Sequence, residues 1–504
     1  MTKILTFLNH LSSNKLRYIS FYISLLLLFS VLWIIKTFGN PSYEQILFHV
    51  LYQTSDLSNF DRNMLISYSQ YAIIVPIALL IIFACVEHFI QDRMRTDNKN
   101  VKLLVRVTPI LPAIIGIALS FAYFGGYTGY TGHVGAAQFN TYNPVFSNKL
   151  TERKLNYFAN NYINPKQITF TERENKKNLI LIYVESFENG YSNSNIFGED
   201  LIKELTELKG ISFKSFNQAP GTGWTIAGIV ATQCAVPLKV VFMRDGNGQG
   251  DGKSFLSNAI CLGDVLQAHG YKNIFMNGPS VTFAGVDKFL KSHGYTETYG
   301  KEEWVASNKY KDKDFNYWGL QDDDLFLEAR IKLDQLIRDK NLFNLTLLTV
   351  NTHGPDGFLS ESCRRNGGRN FTDIIKCTSA EVASFIKYIK DMGYDSNTDI
   401  VILGDHLSIP NPVIESLKSD PDRSIYNLIV TKSDFAKSRE KILHFDLPPT
   451  ILDLVGIKVD GGKFGLGYSA MDIADVVPPE SRLEDMHRDL LNISPEYMNL
   501  WLRN

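Results

Sequence analysis

Two apolar runs in this sequence end in side chains that bind divalent cations. The run Asn178–Val184 is followed directly by Glu185. The run 400–403 is followed by a glycine and then by Asp405 and His406. Short runs of this kind are typical of buried parallel strands, and ligands gather beyond the carboxyl ends of such strands. We therefore expect two carboxylates and one imidazole to meet at one edge of a sheet.

These three side chains lack one oxygen ligand to complete a four-coordinate metal site. Carboxylates and imidazole without a thiolate favour Mn²⁺ or Mg²⁺ as the cofactor, and they also suit Zn²⁺. Each motif taken alone has a simpler explanation, because an acidic residue after a strand often caps a helix or forms a turn. The metal site is predicted from the two motifs together.

The segment 219–228 is the candidate source of the missing ligand. Its Pro, Gly and Thr residues predict a tight turn that leads into a helix of small residues starting near Thr225. The N–H groups at a helix N-terminus suit a phosphate, which makes Gly221 and Thr222 candidate substrate-binding residues. Metal coordination can also activate the Thr225 hydroxyl as a nucleophile. The alternative is that Thr222 or Thr225 only caps the helix.

Three further side chains are candidates for the same site. His353 ends a third apolar run, where it can bind a phosphoryl oxygen or protonate a leaving alkoxide, although a structural loop histidine fits equally well. Trp318 precedes a run of three acidic residues, of which Asp323 is the candidate to reach the substrate. Acidic residues that open a helix also complement its dipole, which is the simpler explanation of that run.

Three apolar stretches near the N-terminus predict a membrane anchor, because each approaches the ~20 residues that cross a bilayer. They cover residues 18–35, 71–90 and 107–124. Lys3, Lys15 and Arg17 precede the first stretch, and five basic residues separate the second from the third. Basic residues concentrate on the cytoplasmic side, so the N-terminus is expected inside. Three crossings then leave the chain after about residue 125 in the periplasm. We expect a multi-pass inner-membrane protein with a periplasmic catalytic domain.

The cysteines agree with that topology. One of the five lies within the second apolar stretch, and the other four fall in the part expected outside. We predict two disulfides that each close a short loop, Cys234–Cys261 and Cys363–Cys377, as suits an oxidising compartment. Four cysteines allow three pairings, and four free buried thiols are the alternative. The net charge of −2 argues against a nucleic-acid partner.

From residue 178 onward, apolar runs alternate with helical patterns. The predicted strands are 179–184, 273–276, 345–350, 400–403 and 426–430, and the predicted helices include 225–232, 261–269, 323–338, 379–391 and 449–455. Such alternation predicts an α/β domain with a mostly parallel, doubly wound sheet. We divide the chain into an anchor (1–125), a juxtamembrane linker (126–177), a catalytic domain (178–475) and a tail (476–504).

The chain from residue 178 to about 471 resembles the sulfatase-like lipoteichoic-acid-synthase and phosphoglycerol-transferase enzymes of the alkaline phosphatase superfamily, and most of all those that decorate periplasmic glucans. The matching runs are 178–186, 220–228, 260–264, Phe283–Gly285, 289–294, 318–319, 352–358 and 405–407. The resemblance implies a mixed α/β sheet of the sulfatase and alkaline phosphatase type. True sulfatases have a Cys-x-Pro-x-Arg pattern that Cys234-Ala-Val-Pro-Leu238 lacks, so sulfatase activity is not expected.

The resemblance also assigns roles to single residues. It implies that Glu185, Thr225, Asp405 and His406 bind the metal, that Thr225 is the nucleophile, and that His353 binds phosphate. Phe283 lies near the position of a substrate-lining Trp in the better-known synthases, whose neighbouring Arg is absent here.

The expected activity is transfer of phosphoglycerol from phosphatidylglycerol to a glycan through a phospho-threonine, with Mn²⁺ as the metal that fits best. Two alternatives remain open at this point. One is phosphoethanolamine transfer from phosphatidylethanolamine, and the other is an inactive membrane sensor or scaffold that retains only the fold.

Overall fold

The protein is described here from a computed structural model. The structure describes residues 15–38, 62–93, 110–124, 156–239, 255–471, 476–492 and 494–502. The chain forms two compact units, an N-terminal helical unit and an α/β unit that contains the described residues from 156 onward. All of the predicted site residues belong to the α/β unit.

The N-terminal unit consists of apolar helices. They are α1 (Lys15–Phe38), α2 (Arg62–Tyr68), α3 (Val75–Arg93) and α4 (Leu111–Phe124), and a π-helical turn, Ser69–Ile74, joins α2 to α3. Two segments, Lys15–Thr37 and Leu65–His88, are long and apolar enough to cross a membrane. Helix α4 has 14 residues and corresponds to the third predicted stretch. The first three residues of that stretch, and Lys3, lie outside the described residues.

Helix α1 packs against the other helices of this unit through small and polar side chains. Gly116 of α4 lies so close to α1 that an added Cβ would be 3.1 Å from the Cα of Leu28. The buried carboxylate of Glu87 in α3 accepts hydrogen bonds from Arg17 at 2.6 Å and from Tyr18 at 2.9 Å. Small residues at a helix contact and a paired charge are the usual features of helices packed in a bilayer.

The core of the α/β unit is a six-stranded sheet. Its strands are β2 (Asn178–Val184), β4 (Lys272–Asn277), β5 (Tyr295–Tyr299), β6 (Phe343–Leu348), β7 (Thr398–Gly404) and β8 (Asn427–Val430). They lie in the order β5-β4-β6-β2-β7-β8. All neighbours pair in parallel except β8, which runs antiparallel to β7. Every residue of β2, β6 and β7 is buried, because helices cover both faces of the sheet.

Short strands and helices surround this sheet. The small strand pairs are β1 (Phe170–Glu172) with β10 (Ile457–Val459), β3 (Ser215–Asn217) with β9 (Lys441–Leu443), and β11 (Lys463–Phe464) with β12 (Gly467–Tyr468). The helices are α5 (Tyr157–Asn161), α6 (Ser194–Phe197), α7 (Lys203–Thr206), α8 (Thr225–Cys234), α9 (Leu262–Ala268), α10 (Val286–Ser292), α11 (Lys301–Ala306), α12 (Asp322–Asp339), α13 (Glu361–Arg365), α14 (Phe371–Asp391), α15 (Ile414–Leu417), α16 (Leu447–Leu454), α17 (Arg482–Asp489) and α18 (Pro495–Asn499).

Two hydrophobic cores lie on opposite faces of the sheet. Along β2, Leu179, Leu181 and Tyr183 join the core that contains α8, α9 and α16, whereas Ile180 and Ile182 join the core that contains α12 and α14. This alternation follows from the two-residue period of a strand. The predicted doubly wound α/β fold is confirmed, with the antiparallel β8 making the sheet mixed.

Parts of the predicted linker and of the predicted tail also belong to the α/β unit. Residues 156–177, in the predicted linker, contain α5 and β1, and β1 pairs with β10 near the end of the domain. Residues of the predicted tail, including Tyr497 and Trp501, are fully buried in the core. Strand β5 was not predicted, and α14 begins eight residues before the predicted helix at 379. Both predicted disulfides, Cys234–Cys261 and Cys363–Cys377, are confirmed.

Candidate active site

Strands β2 and β7 end side by side. They are parallel neighbours, and Val184 lies opposite Gly404 in their register. The residues that follow, Glu185 and Asp405, therefore leave the same edge of the sheet together. The backbone N–H of Asp405 continues the ladder by donating to the carbonyl of Val184 at 3.3 Å. The sheet alone thus brings together two acids that are far apart in the sequence.

Glu185, Asp405 and His406 form one buried cluster. One potential ligand atom from each lies within 4.8 Å of the others. The Nε2 atom of His406 is 3.6 Å from a carboxylate oxygen of Glu185 and 3.4 Å from Oδ2 of Asp405. The three side chains are at most 2% exposed. The structure thus brings together the three metal ligands predicted from the strand ends.

Thr225 joins this cluster from the first position of α8. Its hydroxyl donates to Oε2 of Glu185 at 3.2 Å. Trp224 is the N-cap residue, and no side-chain hydrogen bond caps the helix, so Thr225 does not serve as a cap. Thr225 is half-buried, whereas every later residue of α8 is buried. A hydroxyl that contacts the cluster and remains partly open to solvent is in the position that a nucleophile requires.

Helix α8 is held in place near both of its ends. An added Cβ at Gly228 would overlap the backbone carbonyl oxygen of Asp405, so only glycine permits this approach. At the other end, Cys234 forms the disulfide with Cys261, which precedes α9. The position of Thr225 is therefore fixed by a close backbone contact and by a covalent link.

Ser186 connects the two acids directly. Its N–H donates to Oδ1 of Asp405 at 2.8 Å, and its hydroxyl donates to Oε1 of Glu185 at 2.7 Å. Ser186 has a φ of 53°, a left-handed conformation that is strained for a residue with a side chain. Such strain persists where surrounding contacts hold it, and it occurs most often at functional sites. Nothing in the sequence pattern indicated this role.

The backbone of Glu185 is fixed by two threonines from the loop that follows β6. Its N–H donates to the hydroxyl of Thr349 at 3.0 Å. Its carbonyl accepts from the hydroxyl of Thr352 at 2.6 Å. Both threonines are fully buried. Because Thr352 adjoins His353, the same loop positions the acid and the candidate phosphate-binding histidine.

The atoms left over in the cluster fit a divalent cation. His406 places its Nδ1 on the carbonyl of Leu407 at 2.8 Å, which leaves Nε2 as the metal-facing nitrogen. Oδ1 of Asp405 accepts from two backbone N–H groups, those of Ser186 and His406. Oδ2 of Asp405 is buried and has no hydrogen-bond partner among the described residues. A buried oxygen of this kind needs a partner, and a cation satisfies both it and Nε2.

The charges of the cluster lead to the same conclusion. Burial raises the pKa of Asp405 well above its usual range, and the nearby charge of Glu185 raises it further. Burial also opposes ionisation of Glu185, but His353 and His406 outweigh it and lower the pKa of that carboxyl. Two buried acids at this distance repel each other unless a positive charge lies between them. Glu185, Asp405, His406 and Thr225 would hold the cation.

His353 lies beside an aromatic wall. Its ring centroid is 4.9 Å from that of Trp318, and the Trp318 ring is 5.0 Å from that of Phe283. Its Nδ1 is 2.7 Å from the carbonyl of Gly354, so Nε2 is the nitrogen available to a substrate. Two of the predicted substrate-binding residues, Phe283 and Trp318, thus lie next to the predicted catalytic histidine.

Asp322, which was not singled out from the sequence, supports the loop that carries His353. Asp322 is fully buried, and its two oxygens accept from the N–H groups of Val350 at 2.7 Å and Asn351 at 2.9 Å. Burial raises the pKa of this carboxyl to about 7. Asp323 instead accepts from the N–H of Ser362 at 3.3 Å, and no bond joins it to the metal cluster within the described ranges. The substrate-binding role of Asp323 therefore stays a prediction.

The predicted phosphate-binding turn before α8 is stabilised by hydrogen bonds of Gly221 and Thr222 with the protein itself. Gly221 has a φ of +76°, which favours glycine, and its carbonyl accepts from the N–H of Leu238. Thr222 is fully buried, and its hydroxyl donates to the carbonyl of Ala219 at 2.8 Å. These contacts stabilise the turn before α8. A direct contact of Gly221 or Thr222 with substrate stays a prediction.

His444 is a second residue that the sequence did not reveal. It is fully buried, and its Nε2 is 2.8 Å from the backbone carbonyl of Asp405. Burial lowers its pKa to about 3, although the hydrogen bond to Asp405 acts in the opposite direction. A neutral imidazole is therefore built in directly behind one of the metal ligands, where it fixes the backbone.

Fold and site together define a class of protein. It is an α/β protein that places a threonine hydroxyl beside two buried carboxylates and an imidazole, an arrangement suited to ester chemistry at a cation. The chain belongs to the sulfatase family, whose family model, described as Sulfatase, matches residues 177–457. Members of this family and of the alkaline phosphatase superfamily depend on divalent metals.

Known proteins with similar sequences include several that are named phosphoglycerol transferase I. The chain is 38% identical over 318 residues to phosphoglycerol transferase I of Escherichia coli O6:K15:H31, in a match that covers 61% of this chain and 40% of the relative. It is also 38% identical over 330 residues to phosphoglycerol transferase I of Shigella flexneri, covering 62% and 41%. The match thus spans about two-fifths of the length of these relatives.

Among solved structures, the chain is similar to the lipoteichoic acid synthase LtaP from Listeria monocytogenes. That match has 17% identity and a TM-score of 0.47, and it covers 70% of this chain and 99% of the other. Family membership, and not this distant likeness, carries the assignment of the fold.

Proposed function

We propose that the protein transfers phosphoglycerol from phosphatidylglycerol to a periplasmic glycan through a phospho-threonine at Thr225. The observation that carries the proposal is the contact of the half-buried Thr225 hydroxyl with the buried cluster of Glu185, Asp405 and His406. The name shared by the 38% identical relatives supports phosphoglycerol as the transferred group. Cys234 is bonded to Cys261, so it cannot supply the modified cysteine of a true sulfatase.

In the first step, Oγ1 of Thr225 attacks the phosphorus atom of the phosphatidylglycerol headgroup. The bond between phosphorus and the diacylglycerol oxygen breaks, and a glycerophosphoryl-threonine forms. The proton lost by Thr225 is balanced by the proton that diacylglycerol gains. We assign this donation to Nε2 of His353, because its Nδ1 already faces the carbonyl of Gly354. The free N–H groups at the start of α8 provide donors to the phosphoryl oxygens.

In the second step, a sugar hydroxyl of the glycan attacks the same phosphorus atom. The bond to Oγ1 breaks, the hydroxyl proton returns to Thr225, and the glycan carries phosphoglycerol as a phosphodiester. Glu185, Thr225, Asp405 and His406 would hold a divalent cation, which would lower the pKa of the threonine hydroxyl and neutralise charge on the phosphoryl oxygens. We propose Mn²⁺, because the ligands are carboxylate, hydroxyl and imidazole without thiolate.

The helical unit fits a lipid donor. Two helical segments are long enough to cross a bilayer, and an anchored enzyme meets its lipid substrate in the membrane plane. Two crossings from a cytoplasmic N-terminus would return the chain to the cytoplasm, where disulfides are rare. We infer that α4, which at 14 residues is about 21 Å long, belongs to the third predicted crossing. The α/β unit then lies in the periplasm of an inner-membrane protein.

The experiment uses the purified full chain with Mn²⁺, lipid vesicles and a glucan acceptor. Vesicles contain either phosphatidylglycerol or phosphatidylethanolamine as the only candidate donor, and thin-layer chromatography measures diacylglycerol release. Wild type should consume phosphatidylglycerol and add phosphoglycerol to the glucan. Thr225→Ala should lose activity at least about a thousandfold, as expected for a nucleophile. The control Thr206→Ala changes an exposed threonine and should behave as wild type.

Each of the other outcomes would point to a different function or mechanism. Consumption of phosphatidylethanolamine alone would replace the proposal by phosphoethanolamine transfer. Full turnover by folded Thr225→Ala would refute the phospho-threonine. A folded wild type that binds Mn²⁺ but consumes neither lipid would point to an inactive sensor or scaffold.

A further inference from the structure

A second cavity shares a wall with the candidate active site. It encloses about 360 Å³ and is lined by the loop that follows His353, by residues before α12 and by the α13–α14 hairpin. The ring of Phe358 lies 4.9 Å from that of Tyr317, which is 5.6 Å from Trp318, and Trp318 contacts His353. A row of rings thus separates this cavity from the candidate catalytic histidine.

The inner wall of the cavity contains unpaired polar atoms. The side-chain nitrogen of Asn316 and the side-chain oxygen of Gln321 are buried and have no hydrogen-bond partner among the described residues. The oxygen of Asn316 is already used, because it accepts from the N–H groups of Trp318 and Gly319. One donor and one acceptor are therefore left for a ligand. A sugar hydroxyl can both donate and accept, so it satisfies such a pair.

The outer rim of the cavity carries more basic than acidic side chains, three cations against the exposed Asp356. Arg364 and Arg369 line it, and neither guanidinium makes a hydrogen bond or ion pair within the described part of the chain. Lys313, a third cation at the rim, is instead paired with Glu361 at 2.8 Å. Guanidinium groups bind phosphate in a planar, two-pronged arrangement. The rim therefore suits an anionic phosphodiester group.

The rim is also rigid. The disulfide Cys363–Cys377 joins α13 to α14 across the turn that carries Arg369. The side chain of Asn370 caps α14 by accepting from the N–H of Asp373 at 3.1 Å. Arg364 and Arg369 are thus held on a fixed hairpin, which reduces the entropy cost of ordering them around a ligand.

We propose that this cavity binds the acceptor, and that the acceptor is an oligosaccharide that already carries anionic phosphodiester groups. Phe358 contacts the apolar face of a sugar ring, Asn316 and Gln321 bind its hydroxyls, and the two arginines bind a phosphodiester. This inference rests on the proposed function, because that function makes such groups. A glycan that has received phosphoglycerol then binds better than an unmodified one, and modification is repeated on the same chain.

Calorimetric binding to the purified full chain tests the proposal without any need for turnover. The probes are a neutral glucan oligosaccharide, the same oligosaccharide bearing phosphoglycerol, and free glycerol phosphate. Wild type should bind the anionic oligosaccharide about tenfold more tightly than the neutral one, as two charge-assisted contacts allow. Arg364→Gln/Arg369→Gln should abolish that preference, and Phe358→Ala should weaken both oligosaccharides.

The control pair is Lys387→Gln/Lys418→Gln, which makes the same change in charge at two exposed lysines elsewhere. It should keep the preference of wild type. Transfer assays should give a raised acceptor KM for the arginine pair and an unchanged rate of donor cleavage without acceptor.

Other outcomes overturn the proposal in distinguishable ways. Equal binding of both oligosaccharides, or a preference that survives in the arginine pair, would remove the anionic acceptor subsite. Free glycerol phosphate that binds as tightly as the anionic oligosaccharide would show a headgroup site instead. If wild type releases no diacylglycerol yet binds as expected, the proposed function fails while the cavity assignment stands.

Discussion

Gly228 provides a direct test of how the nucleophile is held. A Cβ at this position would lie about 1 Å inside the ordinary separation of a carbon atom and a carbonyl oxygen, because the backbone oxygen of Asp405 occupies that space. That oxygen cannot easily retreat, since it also accepts a hydrogen bond from buried His444 at 2.8 Å. In Gly228→Ala, helix α8 must therefore move away from β7 by about 1 Å.

The expected effect on catalysis is much larger than the effect on stability. The Thr225–Glu185 hydrogen bond is 3.2 Å long, so a shift of that size breaks it. A misplacement of about 1 Å costs on the order of a hundredfold in kcat. Overpacking lowers the unfolding free energy by about 1–3 kcal/mol. Replacing glycine by alanine within a helix raises it by about 1 kcal/mol. The net loss of stability is then about 0–2 kcal/mol.

The assay measures kcat for diacylglycerol release and, in parallel, the unfolding free energy. Gly210→Ala is the matched control, because its added Cβ would lie 2.6 Å from the carbonyl oxygen of Ile429, away from the site. The control should lose stability and retain kcat. Wild-type kcat in Gly228→Ala, together with a stability loss like that of the control, would show that this contact does not position Thr225.

Three further predictions concern the supports of the site. Asp322→Asn leaves one of two buried N–H groups facing another donor, so unfolding free energy should fall by about 1–3 kcal/mol and kcat about tenfold, with donor KM unchanged. The control Asp339→Asn, at the exposed end of the same helix, should change neither the unfolding free energy nor kcat. A stable and fully active Asp322→Asn would show that Asp322 does not support the loop that carries His353. Mn²⁺ at a hundred times its Kd should raise the unfolding free energy of chelator-treated protein by about 2.7 kcal/mol, and Glu185→Gln or Asp405→Asn should remove that gain. Below pH 6.5 the unfolded chain protonates His444 but the folded chain, with a pKa of about 3, does not, so stability falls as pH falls. Between pH 7 and 5 this effect should lower the unfolding free energy by about 2 kcal/mol, and His444→Gln should lack it. If the unfolding free energies of wild type and His444→Gln depended equally on pH, the prediction would be refuted.

The meeting of Glu185 and Asp405 could be predicted because it depends on the sheet alone. Continuous apolar runs identify buried parallel strands, and parallel strands deliver the residues that follow them to one edge. Glu185 and Asp405 needed no further information. The disulfides and the helix that carries Thr225 were predicted for a similar reason, since each depends on residues close together in the sequence.

Asp322 shows where such reasoning ends. Successive residues of a helix point about 100° apart, so three consecutive acids face three directions. Which of them faces the core depends on how α12 lies against the sheet, and the sequence pattern does not contain that orientation. The contact of Asp322 with the loop that carries His353 could therefore not be predicted, and the substrate-binding role of Asp323 stays a prediction.

Ser186 and His444 were missed for another reason. The contacts of Ser186 depend on its left-handed backbone, and those of His444 depend on an approach between distant segments. Strand β5 was missed because its residues after Tyr295 are exposed or only partly buried, so no apolar run or clean alternation marks it.

The site joins residues that are widely separated along the chain, and this has a consequence for biosynthesis. Ser186 and the carboxylate of Asp405 that it contacts are 219 residues apart. An emerging polypeptide therefore carries Thr225, the proposed nucleophile, long before it carries Asp405 and His406, which are proposed to activate it. Catalytic competence arrives late, after most of the domain has been synthesised, so a nascent or truncated chain in the membrane should leave the surrounding phospholipid intact.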